Sequence, residues 1–110
     1  MATKGIITFL PATSRTSSGN SGNGTYLGDN NEAVVYLDVT AVSGTTPTLD
    51  VTVQDTIDGT NWDTVGSFTQ ASSAGREAIR INNFSRFMRV SYTMAGTDPD
   101  FTFSVKAFVK

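Results

Sequence analysis

Residues 33–68 read AVVYLDVTAVSGTTPTLDVTVQDTIDGTNWDTVGSF, and their alternation decides the fold. In residues 33–42 the odd positions Ala33, Val35, Leu37, Val39 and Ala41 are apolar, with Asp38 and Thr40 between them. In residues 48–57 Leu49, Val51, Val53 and Ile57 alternate with Asp50, Thr52, Gln54 and Thr56. Successive side chains on a strand point to opposite faces, so each segment has one core face and one wet face. Residues 43–47 (SGTTP) read as the turn of a hairpin that pairs Val39 with Val51. That register sets Leu37 against Val53 and Ala41 against Leu49, all on the buried side. Asp58-Gly59 then makes a second turn ahead of the only tryptophan, Trp62.

Working outward, residues 5–10 (GIITFL) form a first strand rich in β-branched and aromatic residues and closed by Pro11. Residues 12–31 are Ser, Thr, Gly and Asn almost throughout, with Tyr26 and Leu27 as the anchors. A segment of that length and composition is expected to be a surface loop, or an arm ordered by a neighbouring subunit. Residues 62–68 form a further strand in which Val65 alternates against Trp62 and Phe68, which predicts a bulge or a change of face near Gly66. Residues 76–82 place Ile79 and Ile81 inside. Residues 86–94 put Met88, Val90, Tyr92 and Met94 on one face. Residues 101–109 do the same with Phe101, Phe103, Val105, Ala107 and Val109.

No helical periodicity occurs, and seven or eight short strands separated by Gly/Ser/Asn turns predict an all-β fold. The expectation is a single antiparallel β-sandwich, jelly-roll or Ig-like, over residues 1–110. Residues 1–32 supply a strand and an extended arm, and residues 33–110 the sandwich core.

The last two strands, folded about the turn formers Gly96, Asp98 and Pro99, set Tyr92 opposite Phe103 and Met88 opposite Ala107. On the other face the same register sets Phe87 opposite Phe108 and Arg89 opposite Lys106. An outward aromatic pair beside two cations is either covered by Tyr26 and Leu27 or is a contact patch for another protein. The candidate interface is therefore Tyr26, Leu27, Phe87, Arg89, Lys106 and Phe108. Acidic residues gather in the first half (Asp29, Glu32, Asp38, Asp50, Asp55, Asp58, Asp63) and arginines in the second (Arg76, Arg80, Arg86, Arg89). Between copies, such a division would set orientation.

Composition removes most chemistry. The 110 residues contain no cysteine and no histidine, so thiolate metal sites, disulfides and the commonest general base are all unavailable. Serine and threonine are abundant but lack a partner that would activate a nucleophile. Asp55, Asp58, Asn61 and Asp63 cluster, yet DTIDGTNWD lacks the ligand spacing of a calcium loop and reads as an Asp-Gly turn. No glycine-rich segment opens a helix to cradle phosphate. The sequence thus predicts a non-enzyme with no metal and no cofactor. A formal net charge of -2 argues against nucleic acid. The N-terminal apolar run is too short for a signal-peptide core or a membrane span, so synthesis in the cytoplasm is expected. Asn23-Gly24-Thr25 and Asn83-Phe84-Ser85 match the glycosylation pattern by chance. Trp62 beside its turn is a candidate platform for stacking a sugar, as in carbohydrate-binding modules and adhesins.

From LDVTAVSGTTPTLDVTVQ through DGTNWDTVGSF to RFMRVSYTMAG and the alternating final strand, residues 34–109 resemble small virion proteins of tailed bacteriophages. The resemblance implies a β-sandwich that adds to a capsid or tail. It points first to a capsid decoration (cement) subunit on the major capsid protein lattice, with a tail or neck component as the rival. It also implies a homo-oligomer, a trimer before other states, located in the virion. It carries over no site residue, because the matching residues are structural.

Overall fold

The computed structural model describes residues 5–28, 30–82 and 84–110; Asp29 of the acidic half and the Asn83 glycosylation pattern lie outside them. Seven strands and no helix occur among the described residues. They are β1 (Gly5–Arg15), β2 (Gly19–Asn20), β3 (Thr25–Tyr26), β4 (Glu32–Thr56), β5 (Asp63–Ser67), β6 (Gly75–Asn82) and β7 (Phe87–Val109). The two halves of the opening stretch do not form a hairpin with each other. They are consecutive parts of β4, a 25-residue strand that runs antiparallel to the 23-residue β7 from Ala33↔Val109 to Thr56↔Phe87. Val39 therefore lies opposite Phe103 and Val51 opposite Tyr92, and the hairpin register Val39–Val51 is corrected. The second expected hairpin fails for the same reason, since residues 87–94 and 101–109 are parts of one strand.

Straight strands of that length would span roughly 80 Å at about 3.3 Å per residue. The longest dimension of the molecule is 45 Å, so the ribbon bends. The bend lies where the ladder loses register, at Ser43/Thr45 and Thr45/Thr48. Gly44, Thr46, Gly96 and Asp98 all take positive φ there. The two glycines are reciprocal. A Cβ on Gly44 would sit 2.6 Å from the carbonyl oxygen of Asp98, and one on Gly96 would sit 2.6 Å from that of Thr46. Only glycine lets the two backbones approach this closely with that φ.

Folding the ribbon over produces two layers. In the first, β1 and β6 flank residues 101–109 of β7 and 32–42 of β4; in the second, β2/β3 and β5 flank residues 87–94 and 48–56. Eight strand segments so arranged are a jelly roll. The layers meet through the predicted apolar faces. Val35, Leu37, Val39, Leu49, Val51, Val53, Met88, Val90, Phe101, Phe103 and Val105 are all buried. Tyr92 and Phe103 do touch, with ring centroids 5.3 Å apart, but across the sandwich and not along one sheet. Arg15 closes that edge, donating to the carbonyls of Phe103 (2.7 Å) and Pro11 (2.8 Å) with its guanidinium 4.6 Å from the Phe103 ring.

Alternation fails at two expected core positions. A bulge between Val39 and Ala41 leaves Ala41 exposed, and the ladder ends at Thr56, so Ile57 projects into solvent. The bulge expected near Gly66 is present, with Val65 skipped between Val53↔Gly66 and Gln54↔Thr64. Residues 12–31 were expected to be a surface loop or an arm; within that segment residues 12–15, Gly19–Asn20 and Thr25–Tyr26 join the sheet. Met94 donates its N–H to the Ser18 hydroxyl and Val90 to the Ser21 hydroxyl, both at 2.9 Å. Serine oxygens thus stand in for missing strand carbonyls, and buried Leu27 pins the segment.

Gly96→Ala should destabilise the protein by about 2 kcal/mol or more, through forced φ and the clash at Thr46. Gly75→Ala, where a Cβ meets nothing within 4 Å, should change stability by no more than about 0.5 kcal/mol. Urea unfolding of the two variants beside wild type measures the difference.

Candidate functional site

The fold separates the six residues expected to form one interface. Because β7 is a single bent strand, Phe87 and Phe108 sit in different layers, opposite Thr56 and Val34 respectively. Arg89 faces Gln54 and Lys106 faces Tyr36. The Phe87–Phe108 and Arg89–Lys106 pairs do not exist, and two distinct surfaces take their place.

On the second layer, Tyr26 pairs with Phe87 across β3 and β7, with ring centroids 5.5 Å apart. Tyr26 thus partly covers Phe87 from within the chain while remaining 60% exposed itself. The Arg86 guanidinium lies 5.9 Å from the Tyr26 ring and 5.7 Å from the Phe87 ring. Next to them the Arg89 guanidinium stacks on Trp62 at 4.2 Å while its Nε donates to Gln54 Oε1 at 2.8 Å. The Trp62 edge reaches Gly24, where a Cβ would fall 2.6 Å from the ring. Arginine therefore already occupies one face of Trp62, and glycine at position 24 admits its edge. Leu27, included in the expected interface, is buried and belongs to the core.

On the first layer the register aligns Ile6, Phe108, Val34 and Arg80 in one row across β1, β7, β4 and β6. The next row is Thr8, Lys106, Tyr36 and Ala78, and Ser104, Asp38 and Arg76 follow. All of these are on the outer face. Ile6 is 75% exposed, Tyr36 43% and Phe108 40%. They line a shallow groove of about 460 Å³ together with Asp38, Arg76 and Lys106. Sequence reasoning found Phe108 and Lys106 here but missed Ile6, Tyr36 and Arg80, which only the strand order brings together. Arg86 on the other surface was likewise missed, although its place beside Phe87 was visible.

The Asp-Gly turn is rigid. The Asp58 carboxylate accepts bonds from the Thr60 and Asn61 amides (2.8 and 2.9 Å), from Asn61 Nδ2 (2.9 Å) and from the Thr56 hydroxyl (2.9 Å). These donors, the Asn61 and Thr60 amides foremost, hold its pKa well below the ordinary 3.8. Asp55 points inward and accepts the Ser85 N–H at 2.8 Å. The two acids of the DTID run thus serve separate structural tasks, and among the described residues no three acidic side chains converge.

No family model matches the chain, and no curated protein does. Solved structures do. The PBSX exported protein XepA superposes with a TM-score of 0.56 at 13% identity, over 97% of this chain and 34% of that one. This chain therefore spans about a third of XepA's length. Bacillus endospore appendages, described as disulfide-linked pili, match at 0.54 and 14% over 98% of this chain and 89% of theirs. Murine APRIL matches at 0.59 and 11% over 98% and 99%. These likenesses show the fold. The pilus linkage has no counterpart here, because this chain lacks cysteine.

A lowered native pKa means that ionised Asp58 contributes stability above its unfolded value, and that contribution is lost as pH falls through and below about 4. Asp58→Asn should therefore be less stable than wild type at pH 7. The gap should narrow at pH 3 and below, as read by urea unfolding across that range.

Proposed function

We propose that the protein is a non-enzymatic virion subunit that decorates and stabilises a phage capsid by binding its major capsid protein. The observation that carries this reading is the second-layer surface, where Tyr26, Phe87 and Trp62 are interleaved with Arg86 and Arg89. Aromatic residues and arginine are the types enriched where protein interfaces are energetically strongest. The side chains stand on a two-layer scaffold whose core is closed, so they can be presented without rearrangement, which lowers the cost of binding. Many copies on a symmetric shell would let a modest single contact suffice. The resemblance of residues 34–109 to small virion proteins supports the same assignment. The Arg89 guanidinium on the Trp62 face makes a sugar platform there the weaker reading.

Co-sedimentation with expanded capsids of the encoding phage tests the proposal. Wild type should bind saturably, and Tyr26→Ala combined with Arg86→Ala should weaken binding about tenfold or more. Wild type that pellets with purified tails and not with capsids would move the assignment to the tail or neck. Binding to neither would overturn it.

A further inference from the structure

We propose that Asn23 modifies itself, cyclising onto the Gly24 amide and opening to isoaspartate, and that the lengthened backbone lifts Gly24 off Trp62. The Gly24 nitrogen attacks Cγ of the Asn23 carboxamide, loses its proton and expels ammonia, which leaves a succinimide. Water then adds to either ring carbonyl. One opening gives aspartate; the other routes the main chain through the former side chain and gives isoaspartate. A water is consumed and an ammonia released, with no other reactant.

Asparagine is a thermally labile residue, and the fold decides which copy reacts. The carboxamide must be free to turn, and Asn23 is exposed with no hydrogen-bond partner among the described residues. The attacking N–H must be unclaimed. Gly24 donates to nothing among the described residues, since the β3 ladder begins at Thr25 and the preceding bond to β7 is made by Ser21. The next residue must leave room for the ring, and Gly24 has no side chain. Other candidates are held. Asn20 accepts the Gly22 N–H at 2.8 Å, and the amide that follows it, Ser21, donates to Val90. Asn61 donates to Asp58 at 2.9 Å and is followed by tryptophan. Asp58-Gly59 is the sharper contrast, because an Asp-Gly bond closes the same ring by losing water. There the Gly59 N–H donates to the Thr56 hydroxyl at 3.0 Å, and the carboxylate accepts four bonds that keep it ionised, the unreactive form.

Isoaspartate adds a methylene to a span fixed at both ends, with Ser21 bonded to Val90 and Thr25 opposite Met88. Residues 22–24 must absorb it. Gly24 is wedged there, since a Cβ on it would sit 2.6 Å from the Trp62 ring and 3.3 Å from Cβ of Phe87. The added length displaces Gly24 from the ring on which Arg89 is stacked. A covalent change at residue 23 thus reaches the aromatic face.

This inference concerns the covalent state of the chain and does not rest on capsid binding. Native protein and protein unfolded in guanidinium chloride are incubated side by side at pH 8, with peptide mass spectrometry following each residue. Native Asn23 should convert within about threefold of its unfolded rate, and native Asp58 should isomerise at least about tenfold more slowly than unfolded, the factor that held groups impose. Enzymatic isoaspartyl methylation should label the Asn23 product. Native Asn23 slowed as much as Asp58 overturns the inference. Emission of Trp62, the only tryptophan, reads the second step. It should shift in time with Asn23 conversion in wild type and hold constant in Asn23→Gln, whose extra methylene disfavours the ring. Freshly prepared Asn23→Asp carries the new charge on an unlengthened chain and should emit like unconverted wild type. Emission that stays constant as wild type converts overturns the displacement from Trp62. So does an equal shift in Asn23→Gln, and so does fresh Asn23→Asp that emits like converted protein.

Discussion

Everything in this molecule depends on one ladder, the antiparallel pairing of β4 with β7 over their full lengths. Neither strand has a second long partner. β1, β2 and β3 attach only to β7, while β5 and β6 attach only to β4. The ladder also sets which residues form the core, because the bend folds its two halves onto each other. Each half supplies an apolar face that would otherwise be wet. Neither layer has an independent core, so layer packing and ladder formation must be cooperative. Most of the contacts are between residues far apart in sequence, a topology associated with slow folding.

The bend converts this linear device into a sandwich, and it does so through backbone chemistry. Gly44 and Gly96 approach each other's strand at the carbonyls of Asp98 and Thr46, residues that themselves take positive φ. Glycine takes positive φ without a steric penalty, but Thr46 and Asp98 pay for theirs. They are tolerated because the Tyr92–Phe103 contact, and the Arg15 guanidinium that lies over both rings, require the fold-over they produce.

What the sequence made legible follows from the same geometry. The period of two fixed which side chains face inward, and Val35, Leu37, Leu49, Val51, Val53, Val90 and Phe101–Val109 all lie where alternation puts them. Partner choice was not legible. A tight hairpin and a bent ribbon present the same inward residues, and SGTTP has turn composition in both. The site suffered more than the core. Pairing Phe87 with Phe108 required the hairpin, so one register error merged two surfaces that the fold keeps apart. Ile6, Tyr36 and Arg80 come from three strands whose order no local pattern encodes. The docking of the Ser/Gly/Asn segment was not legible either, because composition reports its low apolar content, while its attachment relies on individual hydroxyls, Ser18 and Ser21, meeting particular amides of β7.

The two outer surfaces are therefore the two ends of one ladder's outward face, carried to opposite sides of the molecule by the bend. Phe87 and Arg89 occupy alternate outward positions at one end of β7, and Lys106 and Phe108 do so at the other. Each is backed by buried neighbours one residue away, Met88 and Val90 at one end, Val105, Ala107 and Val109 at the other. Outward positions on such a strand can change without touching the core, so the surfaces are free to specialise separately.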